Sequence, residues 1–277
     1  MSRLLIRPSR GLRPPDLREL WGYRGLLYFF VWRDLKVRYK QTVIGVAWVV
    51  AQPLAMMLVF LLVFGRLARL DQATPMPYWL FAYCGILPWQ LFARALQDGS
   101  HCLVVNQRLV AKVYFPRLLI PLACCLAPAL DFVVGLVLLL VLMLAHGLMP
   151  GWPLLCLPLL LALLLLTALG VSCWLAALHA EYRDVGHAVP FLVQLWFFLT
   201  PVVYPGGLIP ARFQALYSLN PLVGVVDGVR WSVSGQGPAP GAGLWQSVGL
   251  AVLLAVTGLF WFRTRERRFV DSLGSGG

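Results

Sequence analysis

Charge is what this sequence has least of. Of its 277 residues, 12% are Asp, Glu, Lys or Arg, against 60% that are hydrophobic, and its mean hydropathy is +0.78. A soluble domain carries about 25% charged residues, so the deficit points to a membrane before any motif is considered. Acids are scarcer than bases, eleven against twenty-three, giving a net charge of +12. In a soluble protein that excess would point to nucleic acid. Here the cations lie outside the apolar runs, so membrane topology accounts for them and no nucleic-acid partner is expected. Lysine is nearly absent, only Lys36, Lys40 and Lys112. None follows a glycine, so a GxxxxGK[ST] phosphate loop is impossible and ATP is not hydrolysed by that route. HExxH and GxSxG are missing as well. The six cysteines include no CxxC pair and lie mostly in or beside apolar runs, so they read as small apolar residues with free thiols. His101, His146, His179 and His187 are scattered near expected helix ends and show no ligand pattern.

What is there is a succession of apolar runs. A spanning helix needs about 20 mostly apolar residues. Val43–Phe64, Tyr78–Leu96, Leu118–Ala145, Trp152–Leu178, Ala188–Tyr204 and Leu244–Phe262 are the six candidates. The second is marred by Arg94 and the third holds Asp131. Segment 207–235 differs: Pro210, Pro221 and several glycines break it, so it dips partway into the membrane and returns. The expected fold is all-α and integral to the membrane. An N-terminal part, 1–42, precedes a six-helix domain, 43–262, and a tail, 263–277. The N-terminal part does not read as a cleavable signal, because its longest apolar run is "LLYFFVW" (26–32).

Orientation follows from the Lys/Arg bias. With the N-terminus inside, eighteen cations fall on the inner side and four on the outer. Both termini are therefore expected in the cytoplasm, with segment 207–235 facing out. Residues 24–40 read as a helix lying along the inner surface. Tyr28, Val31, Trp32, Leu35 and Tyr39 share one face; Arg33, Lys36 and Lys40 lie on another. Asp34 and Arg38 form an i,i+4 pair, and the chain turns into the first span at Gln41–Thr42.

Four features bear on function. Asp131, deep in a span, must be paired, close to water or protonated; a backbone group or Gln194 would serve as its partner. Tyr78, Phe81, Trp89 and Phe92 share a helix face if Pro88 does not kink it. Such a face stacks on sugar rings along a path, or belongs to an interfacial belt packed against lipid. "NQRLVAKVYFPR" (106–117) opens with Asn106 as an N-cap, places Arg108 and Lys112 on one face and stops before Pro116. "HAEYRDVGHAVP" (179–190) is a short charged loop.

The ordered blocks "RDLKVRYKQTVIGVAWVVAQPL", "FGRLARL", "GILPWQLF", "LVAKVYFPR", "YRDV", "TPVVYP" and "NPLVGVVDGVR" resemble the membrane subunit of bacterial ABC exporters for cell-surface polysaccharides. The resemblance covers roughly residues 20–265. It implies a six-span subunit of the cytoplasmic (inner) membrane that pairs with a second copy and with two ATP-binding subunits. It implies an interface helix carrying Trp32, Arg33, Lys36, Arg38 and Lys40, and an ATPase contact over residues 106–115 with Arg108, Lys112 and Tyr114. It implies an outer gate over 207–235 with Asn220, Asp227 and Arg230, and a polymer path between the copies for a lipid-linked glycan. ATP and magnesium then belong to the partner, and this chain binds no cofactor. Other readings are an export permease for a lipid or drug, a membrane-embedded enzyme of glycan or lipid assembly, and a secondary transporter. The short loop 65–77 argues against multidrug relatives, the dispersed acids and histidines against an enzyme, and the lack of repeat symmetry against a secondary transporter.

Overall fold

The computed structural model describes residues 17–40, 45, 47–236 and 240–274. The N-terminal stretch 1–16, the turn at Gln41–Thr42, the expected span start at Val43 and the last residues of the tail lie outside the described residues. Among the described residues every regular element is helical. Two helices precede the bundle, α1 (Leu17–Gly22) and α2 (Arg24–Lys40). α3 (Ala47–Phe60) is prolonged by a π-helical segment, Leu61–Leu67. α4 (Tyr78–Val105), the short α5 (Gln107–Lys112) and α6 (Leu119–Ala145) follow, then α7 (Leu157–Glu181) and α8 (Val185–Leu199). Two shorter helices, α9 (Ala211–Ser218) and α10 (Leu222–Ser234), lead to α11 (Ala242–Gly274).

Four stretches are long and apolar enough to cross a membrane: Ala47–Leu67, Leu119–Ala145, Trp152–Glu181 and Ala242–Glu266. α4 has the length but carries Arg94 and Asp98, and α8 has only 15 residues. Prolines at 53, 88, 128 and 190 sit inside helices, and α4 runs unbroken through Pro88. Neighbouring helices re-satisfy the backbone groups that a proline frees.

Contacts define two ends of the bundle. At one, Phe30 meets Phe115, His101 meets His179, and Arg117 and Arg265 reach Glu266 and Glu181. At the other, Trp79 packs on His146, Trp152 on Trp231, and the Tyr78 hydroxyl donates to the Val203 carbonyl at 2.7 Å. They are called here the α5 end and the α10 end. α4 forms the core; Leu80 to Leu87 are all buried. α10 enters from its own end and buries Leu222, Val225, Val226, Val229 and Val233 among α4, α7 and α11.

α2 packs along the bundle. Its residues meet progressively deeper parts of the bundle: Phe30 touches Phe115, Arg33 reaches Asn106, and Arg38 reaches Asp98 and Asp131. The helix therefore climbs along α4 and α6. The expected apolar stripe is split. Tyr28 and Trp32 are exposed, Val31, Leu35 and Tyr39 are half-buried, and the residue sealed inside is Phe30, 2% exposed. Leu26, Leu27 and Val31 accompany Phe30 against the bundle, so the helix has one apolar face for protein and another for its surroundings.

Without a hydrophobic drive between helices in lipid, close packing at small residues holds them together. The α7–α11 pair shows this. A Cβ on Gly258 would lie 2.1 Å from the Gly170 carbonyl oxygen, and one on Gly170 would lie 2.6 Å from Leu254 backbone atoms. Trp174 stacks on Trp261 at 4.5 Å beside this crossing and donates to the Thr257 hydroxyl. Gly258→Ala should destabilise the protein by about 1–3 kcal/mol, because backbone cannot yield as a side chain can. Gly249→Ala, with open space around its Cβ, should be neutral or stabilising by about 1 kcal/mol through helix propensity. Thermal unfolding in detergent, read for both variants, tests the contrast; equal effects would refute the crossing geometry.

Candidate functional site

The most concentrated chemistry lies where α2, α3, α4 and α6 meet. Asp131 is the thirteenth residue of α6, about 18 Å along the helix from its α5 end. Arg38 Nη1 donates to Asp131 Oδ2 at 2.8 Å, and its Nη2 donates to Asp98 Oδ2 at 2.7 Å. Arg94 Nη1 donates to the same Asp131 oxygen at 3.2 Å, and its Nη2 to Gln52 Oε1 at 2.5 Å. The Tyr39 hydroxyl donates to the other Asp131 oxygen. Burial, and then the Asp131 carboxylate, push the Tyr39 phenol above its ordinary value, so it stays a donor. Two guanidinium groups and two carboxylates balance. Beside Arg94 and Asp131 lies a void of ≈ 20 Å³, room for one water.

This cluster answers one expectation and corrects two. Asp131 is paired, and its partners are Arg38, Arg94 and Tyr39, not Gln194 or a backbone group. Asp34 does not pair with Arg38; it binds Arg33 at 2.8 Å, which frees Arg38 for the deeper acids.

At the α5 end, Asn106 does not cap α5. Its amide donates to the Cys102 carbonyl at 2.8 Å and its oxygen accepts from Arg33 at 2.8 Å, so it ties α2 to the end of α4. α5 stops at Lys112, before Pro116 as expected. Val110 and Phe115 anchor it, which leaves Arg108, Lys112, Val113 and Tyr114 exposed together, and Lys36 and Lys40 are exposed on α2. Nearby, α11 is clamped by Arg265 to Glu181 and by Arg117 to the Glu266 carbonyl.

At the α10 end, Arg230 is fully enclosed. It donates to the carbonyls of Phe81 at 3.3 Å, Pro201 at 2.6 Å and Val202 at 2.9 Å, and to Asp227 at 3.2 Å. Its guanidinium sits 3.5 Å from the Phe81 ring centre, a cation–π contact. Gly85 makes room: a Cβ there would lie 2.5 Å from the Val202 oxygen. Asn220 joins α8 to α10, donating to Leu199 and Thr200 and accepting from Trp196 and the Leu222 amide. These residues, expected at an outer gate, make the fastening of α10.

The aromatic stripe on α4 is a core face, not a lining. Tyr78, Phe81, Trp89 and Phe92 are 3%, 3%, 8% and 0% exposed. Phe92 packs edge-on against Trp196 at 5.0 Å, and Trp89 against Phe197 at 5.4 Å. A moving polymer and surrounding lipid are both excluded from that surface. Exposed apolar side chains lie instead on α3 (Trp48, Met56, Val59), on its π-helical extension (Val63) and on α8 (Phe191, Leu195, Phe198). These two helices adjoin where Phe60 stacks on Phe197.

Sequence reasoning missed Asp98 and Gln52, and treated Arg94 as a blemish. An acid and two arginines among apolar runs were the available signal. It also missed that His101 and His179, 78 positions apart, pack edge to face at 4.6 Å. Among the described residues no group of three or more His, Cys, Asp or Glu side chains is arranged to hold a metal ion.

The family described as ABC-2 type transporter matches residues 25–233. The chain is 32% identical over 260 residues to the O-antigen export system permease protein RfbA of Myxococcus xanthus, covering 93% of this chain and 98% of the relative. It is 28% identical over 255 residues to a protein of the same name from Klebsiella pneumoniae, covering 90% and 95%. It is 23% identical over 241 residues to the polysialic acid transport protein KpsM of Escherichia coli, covering 87% and 93%.

The two acids of the cluster should behave differently on removal. The Asp131 side chain is 14% exposed and serves both arginines, whereas that of Asp98 is 46% exposed. Asp131→Ala leaves the part-buried Arg94 without a carboxylate and Arg38 with Asp98 alone, and should cost about 2–3 kcal/mol, below the loss for breaking a fully buried pair. Asp98→Ala should cost about 1 kcal/mol or less. Thermal inactivation of the two purified variants measures the difference, and a larger loss for Asp98→Ala would show that the cluster is wired otherwise.

Proposed function

The chain belongs to the ABC-2 type transporter family, and from that premise we propose that it is the permease subunit of an ATP-driven exporter that moves a lipid-linked polysaccharide of the O-antigen type across the bacterial inner membrane. The observation that carries this reading is end-to-end similarity to permeases named for O-antigen and polysialic acid transport. The helices α3, α4, α6, α7, α8 and α11 are its six spans, both termini are cytoplasmic, and the α5 end faces the cytoplasm. Two copies combine with two ATP-binding subunits that hold ATP and magnesium. The absence of a phosphate loop from this chain supports that division of labour.

The parts take on roles accordingly. Exposed Arg108, Lys112 and Tyr114 offer charge and an aromatic ring to the ATP-binding partner. The rigid tie from Asn106 through Arg33 into α2 carries movement of α5 toward the cluster around Asp131. The polymer passes between the two copies along the exposed apolar faces of α3 and α8, where shallow, non-directional contacts hold a sliding glycan loosely. α9 and α10 close the outer mouth, held by Arg230. The lipid carrier enters from the inner leaflet beside α2, whose exposed Lys36 and Lys40 attract anionic headgroups.

Deleting the gene in its own host should abolish the surface glycan while lipid-linked polymer accumulates on the inner side; an unchanged glycan coat would refute the export reading. Reversing the charges of Arg108 and Lys112 together should reduce export several-fold or uncouple ATP hydrolysis from it, with membrane insertion intact. Surface-glycan staining alongside ATPase assays of the purified complex reads both outcomes. Normal export by the doubly reversed chain would remove α5 from the coupling route.

A further inference from the structure

The outward side of α2 carries aromatic rings and cations in one row. Tyr28, Trp32, Lys36 and Lys40 recur every four residues and so form a ridge along the helix, each step rising about 6 Å. Tyr28 and Trp32 are 70% and 55% exposed, and both lysines are exposed. The other side of α2 is fixed to the bundle by Phe30 on Phe115, Arg33 on Asn106, and Arg38 on Asp98 and Asp131. The ridge is therefore held rigid. The acids of this region are taken by arginines, Asp34 by Arg33, and Asp98 and Asp131 by Arg38. Lys36 and Lys40 face outward, where an anion from outside the chain can meet them.

The order of the row points to a ligand. Contacts deepen along α2 from Phe30 to Arg38. With the α5 end in the cytoplasm, the rings lie toward water and the lysines toward the membrane. A helix seated in the headgroup boundary has the reverse arrangement, rings in the lipid and cations toward water. Lipid phosphate accounts for the lysines and leaves the rings beyond them without a partner. Exposed aromatic surface on the watery side marks a binding site. A ligand that fits the row is anionic at the lysines and continues away from the membrane with C–H faces that stack on aromatic rings. A glycan joined to its lipid through phosphate has that order of lipid, phosphate and sugars.

We propose that this ridge is the docking site for the phosphate-linked end of the lipid-borne glycan. Lys36 and Lys40 hold the phosphate, and Trp32 and then Tyr28 stack on the sugars that follow it. The proposal rests on the polysaccharide-export reading above and deepens it: the chain selects its cargo at the junction of lipid and glycan, a feature shared by polymers of every length.

The test uses the permease with its ATP-binding partner in nanodiscs of zwitterionic phospholipid. Two synthetic probes share one lipid tail, a bare lipid phosphate and the same phosphate carrying a disaccharide of N-acetylglucosamine. Microscale thermophoresis reads their affinities, and native mass spectrometry reports assembly of each variant complex. The glycosylated probe should bind more tightly than the bare one. Trp32→Ala and Tyr28→Ala should each weaken the glycosylated probe about five-fold, the loss expected for one stacking contact, and leave the bare probe unchanged, while Trp32→Phe restores most of the binding. Replacing both lysines, Lys36→Gln with Lys40→Gln, should weaken both probes several-fold, more at low salt than at high. Equal binding of the two probes, or equal loss of both on Trp32→Ala, overturns the proposal in favour of a headgroup site. Loss of the ATP-binding subunit from the Trp32→Ala complex overturns it in favour of a protein interface. The gene deletion described above decides the export reading separately. An unchanged glycan coat with sugar-dependent binding intact sinks that reading alone, whereas export without sugar-dependent binding sinks the docking site alone.

Discussion

A guanidinium group inside an apolar bundle must be neutralised or fully hydrogen-bonded, because it cannot lose its proton and nothing else nearby will solvate it. Much of the architecture follows from how three arginines meet that demand. Arg38 and Arg94 converge on one carboxylate, Asp131, with Asp98 and Gln52 completing their shells. Arg230 instead finds three backbone carbonyls, the Asp227 carboxylate and the Phe81 ring. The first solution draws α2 into contact with α4 and α6, while Gln52 ties α3 to α4. The second fixes α10 between α4 and the bend after α8. Each places a helix that apolar packing alone would leave free to slide, since lipid competes with protein for every leucine.

The two solutions differ in stiffness. Arg230 is tied to backbone at residues 81, 201 and 202, and Gly85 lets the Val202 carbonyl approach so closely that no side chain fits there. Arg38 is tied to side chains of unequal burial, and Asp98 is the more exposed of its two acids. An arginine between two acids keeps one partner while releasing the other, so α2 can shift at modest cost. The fastening of α10 is thus the stiffer of the two, and the tie of α2 the one that can exchange partners.

Hydropathy alone located the apolar runs, and the structure places helices on each of them. Asp131 stood out as an anomaly, but its partners did not, since Arg38 lies 93 positions away and local periodicity carries no information about such distances. Asn106 had the residue type and position of a helix cap, yet Arg33 and the Cys102 carbonyl compete successfully for its side chain. The α2 stripe was read as a single apolar face laid against the inner membrane surface. Tyr28 and Trp32 are exposed while Phe30 is sealed, because both sides of the helix are apolar.

The aromatic face of α4 shows why direction is harder to read than periodicity. Tyr78, Phe81, Trp89 and Phe92 were grouped correctly as neighbours, but a shared face has three destinations in a membrane protein: the core, the lipid or a path. In water, polarity separates inside from outside. In lipid all three surroundings accept the same residues, and composition no longer discriminates. What decides here is complementarity from distant segments. Trp196 and Phe197 offer edges to Phe92 and Trp89, Val203 offers a carbonyl to Tyr78, and Arg230 lies over Phe81. All four aromatics are thus held by a directional group or a ring supplied by α8, the following bend or α10. The face turns inward because those partners arrive there, which makes the placement of α8 and α10 the cause of the α4 core rather than its result.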